Sequence, residues 1–211
     1  IALARCIVLM PSVLLFDEPL SNLDAKLREH MRIELKTIQK EIGITSVYVT
    51  HDQAEALSMS DRICAMSKGK IEQIGVPKEI YKKPNNWFVA DFIGQTNRLD
   101  GTVAVASNSG IKAKVGDDLI LCEPNSNFKK NDLVTIFVRP EYILISSKPV
   151  SRDNVYKVKI TYSSYMGSKV RYGCRLGNLL LKVDTQGVIP NLKSEAYIGW
   201  DKQYSYLLKG E

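Results

Sequence analysis

An apolar run, "VLLF", drives directly into two adjacent carboxylates, Asp17 and Glu18. A strand buried on both faces reads as a continuous run of large apolar residues, and its carboxyl end is where open α/β sheets place ligand chemistry. An Asp there suits Mg²⁺, a hard cation that takes oxygen ligands. A Glu beside it points elsewhere and can orient or deprotonate a water. The same six residues also read as a strand that ends in a solvated acidic turn, and taken alone they do not decide between the two. Downstream, "SNLD" spans Ser21–Asp24, and "VYVTHD" sets His51 at the end of a second apolar strand. An imidazole in that place can hydrogen-bond a terminal phosphate, or it can simply begin a turn.

The elements that must hold these residues follow from periodicity. Residues 25–42 form a helix, with Leu27, Met31, Leu35, Ile38 and Ile42 along one face. Asn22 or Asp24 can cap its start, and Gly43 suits a left-handed stop. "TSVYVT" is a strand, "QAEALSMS" a short helix, "RICAMS" a third strand, and "GKIEQIG" a turn and strand. "PKEIYKK" opens on a Pro at a first helical turn, and "NWFVADFIG" is a last short helix. Strand and helix alternate, which argues for an α/β domain, residues 1–94, with a largely parallel sheet. From residue 95 to 211 the pattern becomes strands at short intervals, punctuated by Gly, Asn, Asp and Ser, which predicts an all-β domain built as a small OB-type barrel. No strong internal repeat is expected.

Composition sets the limits. The 211 residues are 45% apolar and 25% charged, ordinary for a folded globular chain, and no run nears the ~18 apolar residues of a membrane helix. Cys6, Cys64, Cys122 and Cys174 form no CxxC pair and are expected as buried, reduced thiols. With only two His, a His-rich metal site is excluded. The net charge of +6 lies wholly after Gly94. That is consistent with a lysine-rich surface or with a polyanionic partner.

Taken together and in order, strand-DEP, SNLD and strand-TH resemble the ATP-binding cassette (ABC) ATPases, the motor subunits of ABC transporters. "IALARCIVLM" looks like the helix that follows their signature motif. "VRPEYILIS" and "YMGSKVRY" are similar to phrases of the C-terminal TOBE domain found in some importers. "ADFIGQTNRLDGTV" leans toward the spermidine/putrescine group. The resemblance implies a partial P-loop NTPase sheet followed by an OB-like TOBE barrel, with ATP and Mg²⁺ as cofactors. It implies Asp17 in the Mg²⁺ role, Glu18 as the water-polarising base and His51 as the γ-phosphate switch. Ser21 to Asp24 would form the loop that meets a second copy of the ATPase subunit. Further implied partners are transmembrane permease subunits and, through them, an extracytoplasmic substrate-binding protein. The place implied is peripheral, on the cytoplasmic face of the inner membrane.

The sequence holds no G-x-x-x-x-G-K-[ST] loop, the element that grips β- and γ-phosphates. The chain is therefore expected to be the C-terminal part of a motor subunit and inactive by itself. Two other readings stand beside it. The chain could serve as a regulatory or dimerisation module without ATPase activity, or belong to an importer of sugar, sulfate or iron. A basic OB-type nucleic-acid binder is disfavoured, because Tyr162 and Tyr165 are three apart and cannot share a strand face. Arg139, Pro140 and Glu141 are expected as a strand-ending turn with a surface ion pair.

Overall fold

The computed structural model describes residues 5, 6, 8–190 and 192–210. Much of the "IALARC" helix expected at the start lies outside the described residues. The chain divides into two compact units, Ile1–Pro84 and Asn85–Glu211. Among the described residues no helix is long and apolar enough to cross a membrane.

In the first unit, β1 (Val13–Asp17) runs parallel to β2 (Thr45–Val49), with Asp17 opposite Val49. The connection is α1 (Ala25–Ile42), which begins on Asp24 and ends on Gly43. The Asp24 carboxylate accepts from the Leu27 amide at 2.9 Å, and Gly43 adopts φ 70°. Both features satisfy backbone groups that the helix ends leave unpaired. Leu20, Leu35 and Met59 form a small core beneath this layer, with Met31 and Tyr48 packed on it. After α2 (Gln53–Met59), β3 (Ile63–Ser67) pairs with β4 (Lys70–Gly75) as an antiparallel hairpin, and α3 (Pro77–Lys82) follows with Pro77 in its first turn. The "RICAMS" strand thus turns back on its neighbour, where parallel partners were expected. Lys68 and Gly69, both at positive φ, make the tight turn that allows this.

The second unit opens with α4 (Trp87–Phe92), inside the segment expected to close the first domain. It continues as β5 (Asn97–Ser107), β6 (Gly110–Val115), β7 (Asp118–Cys122), β8 (Leu133–Val138), β9 (Leu144–Ser146), β10 (Asn154–Tyr165), β11 (Val170–Leu176), β12 (Leu179–Thr185), β13 (Glu195–Trp200) and β14 (Tyr206–Lys209). In β6, Ile111, Ala113 and Val115 alternate with Lys112 and Lys114 as a half-buried strand should.

These strands make two five-stranded antiparallel sheets around one core, ordered β7-β6-β5-β8-β14 and β12-β11-β10-β13-β9. The two orders are the same pattern twice. Each half runs through a long strand, a hairpin of two more, a fourth strand back beside the first, and a short 3₁₀ turn, Pro140–Tyr142 or Lys202–Tyr204. The fifth strand then crosses over. β9 pairs with β13 of the other half, and β14 pairs with β8. A bulge interrupts the long strand at matching places, between Val103 and Val105 and between Ile160 and Tyr162. The two turns meet through Tyr142 and Tyr204, stacked with ring centroids 4.4 Å apart. An internal duplication was not expected, and it is present.

Matching asparagines join the halves. Asn97, 4% exposed, accepts from the Lys182 amide at 2.6 Å and donates to its carbonyl at 2.9 Å. Asn154, 1% exposed, does the same with Leu121 at 2.8 and 3.0 Å. Each side-chain amide stands in for one rung of a β-ladder on the edge strand of the other sheet, β12 or β7. Two further expectations change here. Arg139 is 2% exposed, and its Nη1 donates to the carbonyls of Ala90, Gly94 and Gln95 at 2.8, 2.6 and 3.1 Å. It is a buried cation that solvates the C-terminal end of α4, not a surface residue. Cys122 and Cys174 are buried thiols whose pKa burial pushes up to about 12, but Cys6 and Cys64 are exposed.

Asn97→Ala and Asn154→Ala should each lower the stability of this unit by about 1–3 kcal/mol, because each leaves a partly buried backbone N–H and C=O without its side-chain partner. Urea unfolding checks this. The midpoint should fall at constant m-value in both variants.

Candidate functional site

Parallel pairing of β1 with β2 brings the two candidate chemistries to one end of the first unit. His51 Nδ1 lies 3.0 Å from Glu18 Oε1, across 33 residues of sequence. Glu18, Ser21, Arg28, Thr50, His51, Asp52 and Glu55 line a shallow, open recess there.

Glu18 is held in a conformation that its side chain does not favour. Its φ of 45° lies in the left-handed region, which costs a non-glycine residue roughly 1–2 kcal/mol. Hydrogen bonds on both sides fix it there. Its amide donates to the Val49 carbonyl at 2.9 Å, extending the strand pairing by one residue. Its carbonyl accepts from the Ser21 amide at 3.2 Å and the Ser21 hydroxyl at 2.9 Å. The turn that follows is wrapped around Arg28, which donates from Nε to Leu20 O at 3.3 Å and from Nη2 to Leu23 O at 2.8 Å and Ser21 O at 3.5 Å.

His51 stands on a turn of equal definition. Asp52 caps α2, its Oδ1 accepting from Ala54 and Glu55 amides at 2.8 and 3.1 Å. Its own amide donates to Thr50 Oγ1 at 3.0 Å. Thr50 Oγ1 donates in turn to Glu55 Oε2 at 2.7 Å, and Tyr48 Oη approaches the same oxygen at 3.4 Å. Glu55 is 2% exposed. Its charge and the burial of the ring both raise the Tyr48 pKa, burial being the larger cause.

The His51 pKa is raised above its ordinary 6.5, first by the hydrogen bond to Glu18 and then by the negative charge of that carboxylate. An ionised carboxylate only accepts, so Nδ1–H is the donor in this pair. The second ring nitrogen, Nε2, then carries a proton whenever the ring is cationic, and it can donate to an anion.

Of the residues singled out by sequence, Glu18, Ser21 and His51 meet at this recess. Asp17 is exposed at the end of β1, and Asp24 is engaged as the cap of α1. Arg28, Thr50, Asp52 and Glu55 complete the lining without having been anticipated. Asp52 and Glu55 had a visible signal, an N-cap residue followed three later by Glu. Arg28 had none, since its hydrogen-bond partners are carbonyl groups and Asp52 lies 24 residues away in the sequence. Among the described residues no cluster of three or more His, Cys, Asp or Glu forms a metal cage. Mg²⁺ needs no such cage where it is held through one or two carboxylates, waters and substrate phosphates, and an exposed Asp17 fits that mode.

No protein-family model matches the chain. Over nearly its whole length, however, it is similar to proteins named as spermidine/putrescine import ATP-binding proteins. It is 42% identical, over 96% of its length, to the spermidine/putrescine import ATP-binding protein PotA of Trichodesmium erythraeum, of which it covers 56%. With PotA of Thermobifida fusca the identity is 42% over the full chain, again 56% of the relative. With PotA of Malacoplasma penetrans it is 40% over 99%, a third (34%) of that longer protein. The chain thus spans about half the length, or less, of the curated relatives it matches. Among solved structures, the cytoplasmic molybdate-binding protein ModG superposes with a TM-score of 0.47 at 12% identity, over 54% of this chain and 96% of that one.

The Glu18–His51 pair makes a pH prediction. The His51 ring should titrate with a midpoint above ~6.5, and Glu18→Gln should return it toward that value. The stabilisation is present below the ordinary value and is lost as pH rises through the raised one. NMR titration of the imidazole signals checks both.

Proposed function

We propose that this chain carries the water-activating and phosphate-sensing part of an ATPase that powers an ABC importer of polyamines. The observation that carries this reading is the Glu18–His51 pair at adjacent ends of two parallel strands. Identity of about 40% to proteins named for spermidine/putrescine import supports the transport class and the polyamine cargo.

The roles follow from the donors present. Glu18 Oε1 is engaged by the imidazole, and its second oxygen is available to take a proton from an attacking water. His51, made a better cation by Glu18, offers Nε2–H to a terminal phosphate oxygen. Asp17 would hold Mg²⁺, which neutralises phosphate charge when bound. Ser21 to Asp24, folded back on Glu18 and Arg28, would meet the second ATPase subunit of a dimer. Permease subunits and an extracytoplasmic binding protein would be the remaining partners, at the cytoplasmic face of the membrane, while the β unit, of residues 85–211, would serve as the TOBE-type domain.

The recess also indicates what must be supplied from outside it. With an enclosed volume of about 10 Å³, room for little more than one water, it is far smaller than the ~300–1,000 Å³ of sites that enclose a whole ligand. Glu18, Asp52 and Glu55 face Arg28 and His51, so it has no surplus positive charge with which to hold a phosphate. Positioning and charge stabilisation make up most of phosphoryl-transfer catalysis. The 211-residue chain alone is therefore expected to bind ATP weakly.

In the complete protein, Glu18→Gln should lower ATP hydrolysis by ~10²–10⁴-fold with ATP affinity retained, the amide keeping the shape and losing the base. Turnover assays beside nucleotide titration check it. Near-normal turnover would remove Glu18 from this role.

A further inference from the structure

One side chain touches both halves of the site. The Arg28 guanidinium collects the carbonyls of Leu20, Ser21 and Leu23 on Nε and Nη2, and its Nη1 lies 3.7 Å from Asp52 Oδ2. Asp52 divides its carboxylate between two tasks. Oδ1 caps α2, and Oδ2 faces the arginine. Asp52 is the neighbour of His51, and its amide is tied through Thr50 to buried Glu55. A guanidinium is a planar fork with fixed donor directions, so it reaches these groups together only while the loop keeps its shape. A displacement of the 20–23 backbone therefore moves the group that faces Asp52.

We propose that Arg28 is a positioning residue that transmits the conformation of the Ser21–Asp24 loop to His51. This rests on the functional reading above, in which that loop meets a second subunit and His51 meets the phosphate. On that reading Arg28 lets the presence of a partner at the loop set the orientation of the imidazole. A route through the backbone of Glu18, which Ser21 also contacts, runs parallel to it. The arginine is the connection that acts on the His51 side of the pair.

The experiment is a cycle of variants in the complete protein, read at the His51 ring by NMR. Asn22 is exposed and lies between two of the carbonyls that Arg28 gathers. Asn22→Gly loosens the loop without removing one of these contacts. It should shift and broaden the His51 ring signals, and in an Arg28→Lys background it should add little, because an ammonium keeps the charge but not the fork. Asp52→Asn gives a second arm. Asparagine caps a helix as well as aspartate does, so α2 should persist while the coupling is lost. Equal responses of His51 to Asn22→Gly with and without Arg28 would overturn the proposal, as would intact coupling in Asp52→Asn. In turnover assays Arg28→Lys should lower kcat by about 10–100-fold with KM for ATP unchanged. Unchanged kcat in Arg28→Lys, with hydrolysis abolished in Glu18→Gln, rejects Arg28 and leaves the ATPase reading intact. Normal hydrolysis in Glu18→Gln rejects the ATPase reading, and the ring signals still judge the coupling.

Discussion

The parallel register of β1 and β2 is the constraint on which the candidate site depends. With Asp17 opposite Val49 and the Glu18 amide on the Val49 carbonyl, both chains leave the sheet at the same end and at the same height. An antiparallel pairing of the same strands would send the DE and TH residues to opposite ends. A parallel pair requires a crossover, and α1 supplies it. The stops of that helix therefore bear on the chemistry. Asp24 and Gly43 fix how much chain is helical, and so fix where Thr45 begins β2.

Around that register the polar groups are ordered by short, local hydrogen bonds rather than by burial. Glu18 at positive φ is tolerated because Val49, Ser21 and His51 determine it from three sides. Strain of this kind persists only where its surroundings over-determine it, and it gathers at functional sites. The charges are arranged in the same manner. Arg28 faces Asp52, His51 faces Glu18, and Glu55 forms no ion pair among the described residues but is solvated by two hydroxyls. Ion pairs that remain partly solvated, such as Arg28–Asp52, contribute only ~0–1 kcal/mol to stability. Their value at this site lies in direction rather than in energy.

The sequence announced its local features and concealed its long-range ones. α1 was legible because three independent signals agreed: the spacing of Leu27, Met31 and Leu35, a cap at Asn22 or Asp24, and the stop at Gly43. The meeting of Glu18 with His51 was implied only by a family resemblance, since no local rule links residues 33 apart. Arg139 was read as a surface charge, and Arg28 was not singled out, because a guanidinium that binds carbonyls leaves little complementary charge in the sequence. The duplication was hidden for a different reason. The paired strands "NRLDGTVAVAS" and "NVYKVKITYSS" share little beyond the first Asn and the final Ser, because a strand fixes only the alternation of its faces and the groups that must pair across them.

Those two asparagines show why the swapped duplication holds as one body. In each half the closing strand has left to complete the other sheet, so neither half owns all five of its strands. The third strand of each half, β7 or β12, is an edge of its sheet, the feature that invites unintended pairing between chains. Asn97 and Asn154 each place a side-chain amide on that edge and satisfy one N–H and one C=O there. An asparagine suits the task because its side chain carries the same donor and acceptor as a peptide unit. It can therefore extend a ladder from the start of a strand whose own backbone is already paired, as Asn97 is with Val138 and Asn154 with Trp200. Leucine or aspartate at either position would fill the volume or the charge of the site but could not supply both halves of the rung. The retention of asparagine at both places, amid otherwise divergent strands, is thus what the geometry of the crossover demands.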